Sequence, residues 1–445
     1  MTETQPLNTT QSLPSGSPRS IDDVLEDAYS SSTCRISRWK FYIMFLALGL
    51  ANSADSAEMG CTGSIMASSQ FQHDILQGSM DTEADFARRG AAIAGAHLAG
   101  MLISGLLSGV LADVWGRRST LLLGLACNSI IGVASAMART ASELFFLRFV
   151  CGLGLGLVIS GVVTLSAEIS PPSKRGRFMS IVGSCYTLGY FYISLWALII
   201  FQSSGSGNWR LFMVVNAIPT MTALAIAVVH VPESPRFYLS RGLLKEAADA
   251  TNLIASKLGC VDNYLTEQEL RKYLLQKKAI GRASNLGKES LRQNEDEARQ
   301  SLPREFLAKL LSLNEVYQDG MYKYTIPLQF CYVCLTLVTG VNFWWTKIFQ
   351  GLRLTVDPFV MSFYHTFAQI PGIMIGTYLI DKIGRQRMVV IGCAIMSTML
   401  CLLSRIAKNH NNSEASTTSQ TMLILAFTNL NTIGLSLGWL GCEFL

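Results

Sequence analysis

The sequence predicts an all-α membrane protein that crosses the bilayer many times. Half of its 445 residues are hydrophobic and only 15% are charged, whereas soluble domains average about 25% charged residues. The hydrophobic residues gather in runs of about 20, which is the length that spans a bilayer as a helix. A long polar stretch divides these runs into a group of six and a group of four.

Ten predicted spans follow one another along the chain. They lie at Phe41–Cys61, Gly90–Ala112, Thr120–Ala138, Leu144–Leu165, Phe178–Phe201, Leu211–Val231, Tyr324–Trp345, Phe359–Ile380, Met388–Ile406 and Met422–Cys442. Their order predicts a disordered tail at 1–38, a six-helix bundle at 39–232, a connector with helices at 233–322 and an incomplete four-span bundle at 323–445. The tail is predicted to be disordered because it is polar and rich in Ser, Thr and Pro.

Basic residues in the short loops predict the orientation, because cytoplasmic loops carry an excess of Lys and Arg. They cluster before the first span and after the second, fourth and eighth spans, at Arg35, Arg38, Lys40, Arg117, Arg118, Lys174, Arg175, Arg177, Lys382, Arg385 and Arg387. We therefore expect the N-terminus and the connector in the cytosol, with the chain in the plasma membrane or a vesicle membrane. The sequon at Asn411 then faces outward and accepts glycosylation, while the sequon at Asn8 stays unmodified.

Several classes of function find no support in the sequence. The 11 cysteines show neither the paired spacing of a zinc site nor a disulfide framework, and no nucleophile–base cluster indicates an enzyme. The basic residues are spread over the membrane-flanking loops, which argues against nucleic-acid binding. The prediction is a monomer embedded in lipid, with a small-molecule substrate and with no metal, no cofactor and no nucleic-acid partner.

Two acidic residues, Asp55 and Glu58, interrupt the first span in the sequence "ANSADSAEMG". A charged side chain at the bilayer centre costs roughly 2.5–3.5 kcal/mol on insertion scales. Residues three apart project from one face of a helix, so the pair either lines a hydrated cavity or, if the span ends early, lies among outer-leaflet headgroups. We favour the cavity, because intramembrane acids are generally functional. Two acids this close should titrate as a coupled pair, with Asp55 nearer the midplane.

Two further ionisable residues lie within predicted spans. His97, in the second span, either relays protons or contacts substrate, or it packs with a single hydrogen bond. Arg148, in the fourth span, either turns inward or snorkels to the outer surface, because a guanidinium that faces lipid is costly.

Two loops read as copies of each other, "GVLADVWGRRS" at Gly109–Ser119 and "GTYLIDKIGRQR" at Gly376–Arg387. In each loop, glycine lets the chain turn sharply between helices, the Asp is placed to cap the next helix, and the Arg residues anchor the cytosolic side. A single copy would be consistent with a basic hairpin that only fixes the topology. Two copies in corresponding halves predict an internal repeat, as found in transporters.

These loops resemble the signature of the major facilitator superfamily between spans two and three and between spans eight and nine. "RFVCGLGLG", "EISPPSKRGR" and "PESPRFYLSRG" are similar to the family's motifs in the fourth span, after it, and at the end of the sixth span. An acidic segment before the first span and Asp-x-x-Glu within it resemble the branch of synaptic-vesicle-2-related proteins and nicotinate-type porters. "GVNFWW" loosely resembles a seventh-span motif of sugar porters, without the preceding Gln pair.

The resemblance implies a two-bundle transporter that moves a small organic solute by alternating access, with proton symport as an option. The residues it implies for substrate binding or proton coupling are Asp55, Glu58, His97, Arg148 and Asn342. Those it implies for conformational gating are Gly109, Asp113, Gly116, Arg117, Arg118, Glu168, Arg175, Glu233, Arg236, Asp381, Gly384 and Arg385. The alternative is a non-transporting receptor or vesicle adaptor of the same fold.

The repeat also gives an expectation for the end of the chain. The interval from Glu168 to Glu443 is close to the interval from Asp113 to Asp381, so Glu443 falls where a second Glu-x6-Arg motif should begin. In the family the first Asp-Gly-Arg loop docks against the eleventh span, which lies beyond this point. We expect a truncated product, so an inactive isoform is a second alternative.

Overall fold

The computed structural model describes residues 19–30, 38–76, 83–201, 207–259, 265–283, 344–352, 354–411 and 418–443, with short stretches between 317 and 330. Throughout these residues the regular structure is helical, without any strand, as predicted. The predicted residues Asn8 and Asn342 and most of the predicted seventh span lie outside the described residues.

The helices follow the predicted order. They are α1 (Ile21–Ser30), α2 (Trp39–Ala67), α3 (Glu83–Trp115), α4 (Arg117–Ser135), α5 (Ala141–Ile169), α6 (Arg175–Phe201), α7 (Trp209–His230), α8 (Pro235–Ser240), α9 (Leu244–Lys257), α10 (Glu267–Ala283), α11 (Trp345–Gly351), α12 (Pro358–Phe367), α13 (Gln369–Ile383), α14 (Arg385–Asn411) and α15 (Thr418–Glu443). A short helical turn at Ser69–Phe71 continues into a π-helical turn at Gln72–Leu76.

Polar residues fix the starts of several of these helices. The Thr140 side chain accepts a hydrogen bond from the backbone N–H of Glu143 and so caps α5. Asn208 caps α7 in the same way, and Asp357 caps α12 with Pro358 in its first turn. Such side chains satisfy backbone N–H groups that have no partner within the helix.

Within the described part of the chain, seven helical segments are long and apolar enough to cross a membrane. They lie at Ala87–Trp115, Arg117–Ser135, Ala141–Ile169, Pro172–Phe201, Trp209–His230, Gln386–Ile406 and Ser419–Gly438. They correspond to the predicted second to sixth, ninth and tenth spans. The chain is therefore an integral, multi-pass membrane protein.

Two other predicted spans coincide with helices outside this group of seven. The first lies within α2, which has 29 residues but carries Lys40, Asp55 and Glu58. The eighth is divided between α12 and α13, which are 10 and 15 residues long. The total of ten spans therefore stays a prediction.

One compact unit of the chain comprises residues 39–234 and 300–445. Here α2 packs against α5, α6 and α7, while α5 also packs against α3 and α4. Among the later helices, α15 packs against α12, α13 and α14. The two groups meet where α6 contacts α12: the Phe201 and Phe359 rings stack at 5.1 Å, and the hydroxyls of Ser194 and Thr366 lie 3.0 Å apart.

Helices α3 and α5 touch backbone to backbone through glycine. A Cβ atom added at Gly100 would collide with the carbonyl oxygen of Phe149, and one added at Gly152 would collide with the carbonyl oxygen of His97. Small residues at such positions let membrane helices approach closely. The contact fixes the register between His97 on α3 and Arg148 on α5.

The other compact unit comprises residues 1–38 and 235–299. Within it, α1 contacts α9 and buries Ile21, Val24, Leu25 and Ala28, while Asp22 accepts a hydrogen bond from the Arg236 guanidinium at 2.8 Å. Residues 21–30 therefore correct part of the prediction of a disordered tail at 1–38. The low-hydrophobicity rule missed this short amphipathic helix because its partners lie more than 200 residues away.

A capping interaction starts α10 in this unit. Glu269 accepts hydrogen bonds from the backbone N–H of Thr266 at 3.0 Å and from its hydroxyl at 2.9 Å. The backbone hydrogen bond in particular lowers the pKa of the Glu269 carboxyl from its ordinary value. The arrangement follows the capping-box pattern of Thr followed three residues later by Glu.

We expect Gly100→Ala to lower the thermal stability of the protein, because the added methyl group would meet the Phe149 carbonyl. Overpacking of a well-fitted contact costs about 1–3 kcal/mol. The measurement is the midpoint of thermal unfolding of the purified protein in detergent. Gly95→Ala is the matched control on α3, since no atom lies within 4 Å of the Cβ position there. Equal midpoints for the two variants would contradict the close contact.

Candidate functional site

Asp55 and Glu58 lie in the middle of α2, which continues past them to Ala67. Asp55 is 4% exposed and Glu58 is 2% exposed. Neither acid therefore marks an early end of the helix, on which the headgroup alternative depended. Both are enclosed by neighbouring helices.

The Glu58 carboxylate is held by donors from two other helices. The Arg148 guanidinium on α5 donates to Oε1 of Glu58, and the Asn216 amide on α7 donates to Oε2. The Cys151 thiol, one turn after Arg148, lies 3.6 Å from Oε1 and 2.7 Å from Oδ1 of Asn128 on α4. A buried carboxylate thus joins α2, α5 and α7 and contacts a link to α4.

Arg148 turns inward, which decides between its two predicted orientations. Its side chain is 2% exposed, and its second terminal nitrogen lies 2.7 Å from the Met213 sulfur on α7. Removing two charges from water costs several kcal/mol per ion, and their attraction offsets this only with good geometry. The ion pair with Glu58 is therefore stable only while both partners are charged and in place.

His97 on α3 sits beside this pair. Its Nδ1 lies 3.3 Å from the backbone carbonyl oxygen of Arg148. A carbonyl only accepts hydrogen bonds, so Nδ1 carries the proton and Nε2 presents a lone pair. Nε2 is buried without a partner among the described residues. The single hydrogen bond fits the packing alternative, while the free Nε2 leaves a role in binding open.

Glu58, His97 and Cys151 form a cluster with the residue types of a metal site, since one ligand atom of each lies within 4.8 Å of the others. The Arg148 guanidinium already occupies the Glu58 carboxylate in this cluster. A divalent cation would have to displace that positive charge or sit next to it, which the electrostatics disfavour. The donor set therefore does not fit a metal while the ion pair is intact.

Asp55 differs from Glu58 in having no such partner. Its Oδ1 is buried and makes no hydrogen bond to any described residue. The phenol of Tyr190 on α6 lies within electrostatic range of this carboxyl group. The structure thus separates the two acids by environment: Glu58 faces a guanidinium, whereas Asp55 retains an uncompensated carboxyl.

Sequence reasoning missed four contributors to this site: Asn128, Cys151, Met213 and Asn216. The two amides stand in apolar runs, in "LACNS" and "VVNAIP", and a polar residue in a membrane helix was the available signal. Cys151 was taken for a small hydrophobe. Met213 carried no signal, because thioethers are common in apolar cores.

The predicted gating residues come together between α3, α4, α5 and α7. Arg117 lies 3.3 Å from Asp113 and 3.3 Å from Glu168. The backbone N–H of Arg118 donates to Glu233 at 3.0 Å, and its side chain donates to the Val228 carbonyl at 2.8 Å. Charges from both ends of the first six-span group therefore meet in one network.

Two predicted gating residues lie elsewhere in the chain. Arg236 belongs to the unit of residues 1–38 and 235–299, where it pairs with Asp22. Arg175 begins α6, while Glu168 contacts Arg117 from the other motif.

The two loop copies share a backbone conformation. Gly116 has φ of 100° and Gly384 has φ of 87°, a region that L-residues rarely adopt. Gly109 is in open space. The prediction that Asp113 caps α4 was wrong, because the cap residue is Gly116, without a side-chain hydrogen bond, and Asp113 pairs with Arg117. The side chains of Asp381, Arg385 and Asn411 lie outside the described residues.

Comparisons with known proteins follow this geometry. Residues 43–445 match the family model described as "Sugar (and other) transporter". Human synaptic vesicle glycoprotein 2C is 29% identical over 217 residues, covering 46% of this chain and 28% of that protein. Rat synaptic vesicle glycoprotein 2A is 30% identical over 224 residues, covering 48% and 29%. The matches thus span about a third or less of these relatives.

Solved structures match over most of the chain. The xylose transporter XylE from E. coli in a partially occluded inward-open conformation has a TM-score of 0.64 at 15% identity, covering 90% of this chain and 85% of that chain. The proton:xylose symporter XylE bound to 6-bromo-6-deoxy-D-glucose has a TM-score of 0.65 at 18% identity, covering 90% and 81%. At these identities the match shows a shared fold.

We expect Arg148→Gln to destabilise the protein by about 3–5 kcal/mol, because it leaves the buried Glu58 carboxylate without its counter-charge. The double variant Glu58→Gln/Arg148→Gln should recover part of this loss, since two neutral amides cost less to bury than one lone charge. The measurement is the thermal unfolding midpoint of each single variant and of the double variant. A double variant as unstable as the sum of the two single variants would contradict a direct pair.

Proposed function

Because the chain belongs to the family of sugar and other transporters, within the major facilitator superfamily, we propose that it is a proton-coupled secondary transporter. It would move a small organic solute by alternating access. The observation that carries this proposal is the Glu58–Arg148 pair, a charged interaction buried between α2, α5 and α7.

Coupling follows from the chemistry of this pair. Protonation of Glu58 removes its negative charge and leaves Arg148 as a buried cation without its counter-charge, a state that costs several kcal/mol. The helices that carry the two residues then gain by rearranging. Proton binding and helix movement are thereby linked, which is the requirement for coupling a proton gradient to transport.

The network of Arg117 with Asp113 and Glu168 supports alternating access. Partly exposed ion pairs contribute little to stability, about 0–1 kcal/mol each, so such a network can break and re-form within a transport cycle. The Phe201–Phe359 and Ser194–Thr366 contacts join the two helix groups elsewhere. We propose that these two sets of contacts form and break in alternation.

The site of action is proposed from the relatives and from charge. The relatives named above are called synaptic vesicle glycoproteins, which supports a vesicle membrane as one location beside the plasma membrane. The basic residues of the loops support a cytosolic N-terminus.

We expect Glu58→Gln to abolish accumulation of solute against its gradient while preserving exchange of solute across the membrane, because the amide cannot release a proton. The measurement uses liposomes containing the protein and a panel of D-xylose, D-glucose, nicotinate and tetraethylammonium. Counterflow first identifies a transported member, and a pH gradient of either sign then drives accumulation. Glu143→Gln is the matched control, since Glu143 is exposed and Gln also suits its position in the first turn.

Accumulation by Glu58→Gln equal to that of the parent would remove the coupling role from this residue. Saturable binding of panel members with no counterflow at all would instead favour the non-transporting receptor.

We expect the chain expressed in animal cells to lose its glycosidase-sensitive mobility shift in Asn411→Gln and to retain it in Asn8→Gln, because only the first sequon is placed outside by the charge rule. The measurement is gel mobility before and after glycosidase treatment. A shift that persists in Asn411→Gln would contradict this orientation.

A further inference from the structure

We propose that the transported solute is an organic cation, and that Asp55 exchanges a proton for the positive charge of that solute. The inference rests on the proposed transport function and adds the chemical class of the substrate. It is carried by the unpaired carboxyl of Asp55, by the buried hydrogen-bond acceptors around it and by the adjacent Tyr190.

The first step is the charge balance inside the first helix group. Glu58 and Arg148 neutralise each other as an ion pair, whereas Asp55, 4% exposed, has no counter-charge among the described residues. A lone buried carboxylate is costly. Asp55 therefore takes either a proton or a cation, and both satisfy the same requirement.

The second step concerns the hydrogen bonds still on offer. Oδ1 of Asp55, Oδ1 of Asn216 and Nε2 of His97 are buried without a partner among the described residues. All three are acceptors, because the Asn216 amide must direct its NH₂ toward Glu58 and His97 must direct Nδ1–H toward a carbonyl. The amide nitrogen of Asn128 adds one unmatched donor. A ligand that donates hydrogen bonds, such as a protonated amine, matches this set.

The third step is the aromatic ring beside the acid. Tyr190 is partly buried within electrostatic range of Asp55 and packs edge-on against Tyr186, with ring centroids 5.6 Å apart. An organic cation gains from a ring face as well as from a carboxylate, about 0.5–2 kcal/mol per contact. An acid next to a pair of tyrosines therefore favours an alkylammonium group over a bare proton-only site.

The ionisable groups on the helices packed against α2 leave Asp55 available. On α2 itself the nearest is Glu58, and on α5 it is Arg148, which pairs with Glu58. On α6 it is Tyr190, which is neutral near pH 7. Helix α7 has no ionisable residue between Arg210 and His230.

On α11, the Lys347 ammonium donates to the Gln350 side chain at 2.9 Å. Every cationic group on these helices therefore has another described partner.

An anionic solute meets the opposite situation. The one buried guanidinium described in this site is engaged by Glu58 and by the Met213 sulfur. An anion would have to break the ion pair before it could bind Arg148. A cation reaches Asp55 without breaking any described interaction, so the geometry favours positive charge.

The exchange step balances in atoms and charge. The protonated Asp55 carboxyl breaks its O–H bond as the organic ammonium or quaternary ammonium group arrives. The proton passes to water on the side to which the site is open, and the carboxylate keeps the electron pair and pairs with the cation. One proton leaves for each monovalent cation that binds, and the site stays neutral in both states.

The experiment measures binding and proton release with the full chain in detergent. The probes are three matched series that differ in charge: choline, 3,3-dimethylbutanol and 3,3-dimethylbutanoate; benzyltrimethylammonium, neopentylbenzene and phenylpropanoate; and tyramine, 4-ethylphenol and 4-hydroxyphenylacetate. We expect the cationic member of at least one series to bind and to release about one proton in weakly buffered solution. Asp55→Asn should lose the proton release and weaken binding at least about tenfold.

Asp249→Asn is the matched control, because Asp249 is exposed on α9 and the change should leave both signals intact. Asp55→Asn is expected to fold, since a neutral amide costs less to bury than a carboxylate, and size-exclusion chromatography checks this. Asp55→Glu should restore proton release, which keeps the test decisive if the Asn variant is misfolded.

Binding of a neutral or anionic member alone, binding of a cation without proton release, or stabilisation by no cation of the three series overturns the proposal. These outcomes are distinguishable from failure of transport itself. Counterflow of D-xylose that depends on Glu58 would keep the proposed transporter and remove the cationic substrate. Cation binding with no counterflow of any solute would keep the site and remove transport.

Discussion

The interior of this helix group depends on one constraint, which is that a buried charge must be compensated. Arg148 and Glu58 meet that constraint together, and meeting it requires α2, α5 and α7 to converge at one point. The cost of separating the pair is far larger than the cost of moving an exposed charge. A change of protonation at this point therefore affects three helices at once.

The close contact between α3 and α5 gives this point a fixed frame. Gly100 and Gly152 leave no side chain between the helices, and His97 bonds the backbone carbonyl of the residue that carries the guanidinium. Arg148 therefore has a fixed position at its backbone and a changeable partner at its tip. A rigid support and a titratable partner together make a two-state element.

Much of the fold and half of the site could be predicted from the sequence. Span length and the two glycine loops gave the helical architecture, because both depend on local patterns. The pairing of Glu58 with Arg148 could not be read, since the two residues are 90 positions apart and no local pattern links them. Asn216 and Asn128 were missed because an amide in an apolar run has the same appearance whether it packs or binds. The tail helix was missed because its stability comes from distant residues.

That tail helix has a consequence for synthesis. Asp22 and its partner Arg236 are 214 residues apart, and translation proceeds at about 5–20 residues per second. Helix α1 therefore leaves the ribosome roughly 10–40 s before the surface that covers Ile21, Val24, Leu25 and Ala28 exists. During that interval six spans must be inserted while a nascent amphipathic segment waits without its partner, so a chaperone or the lipid surface has time to capture it first.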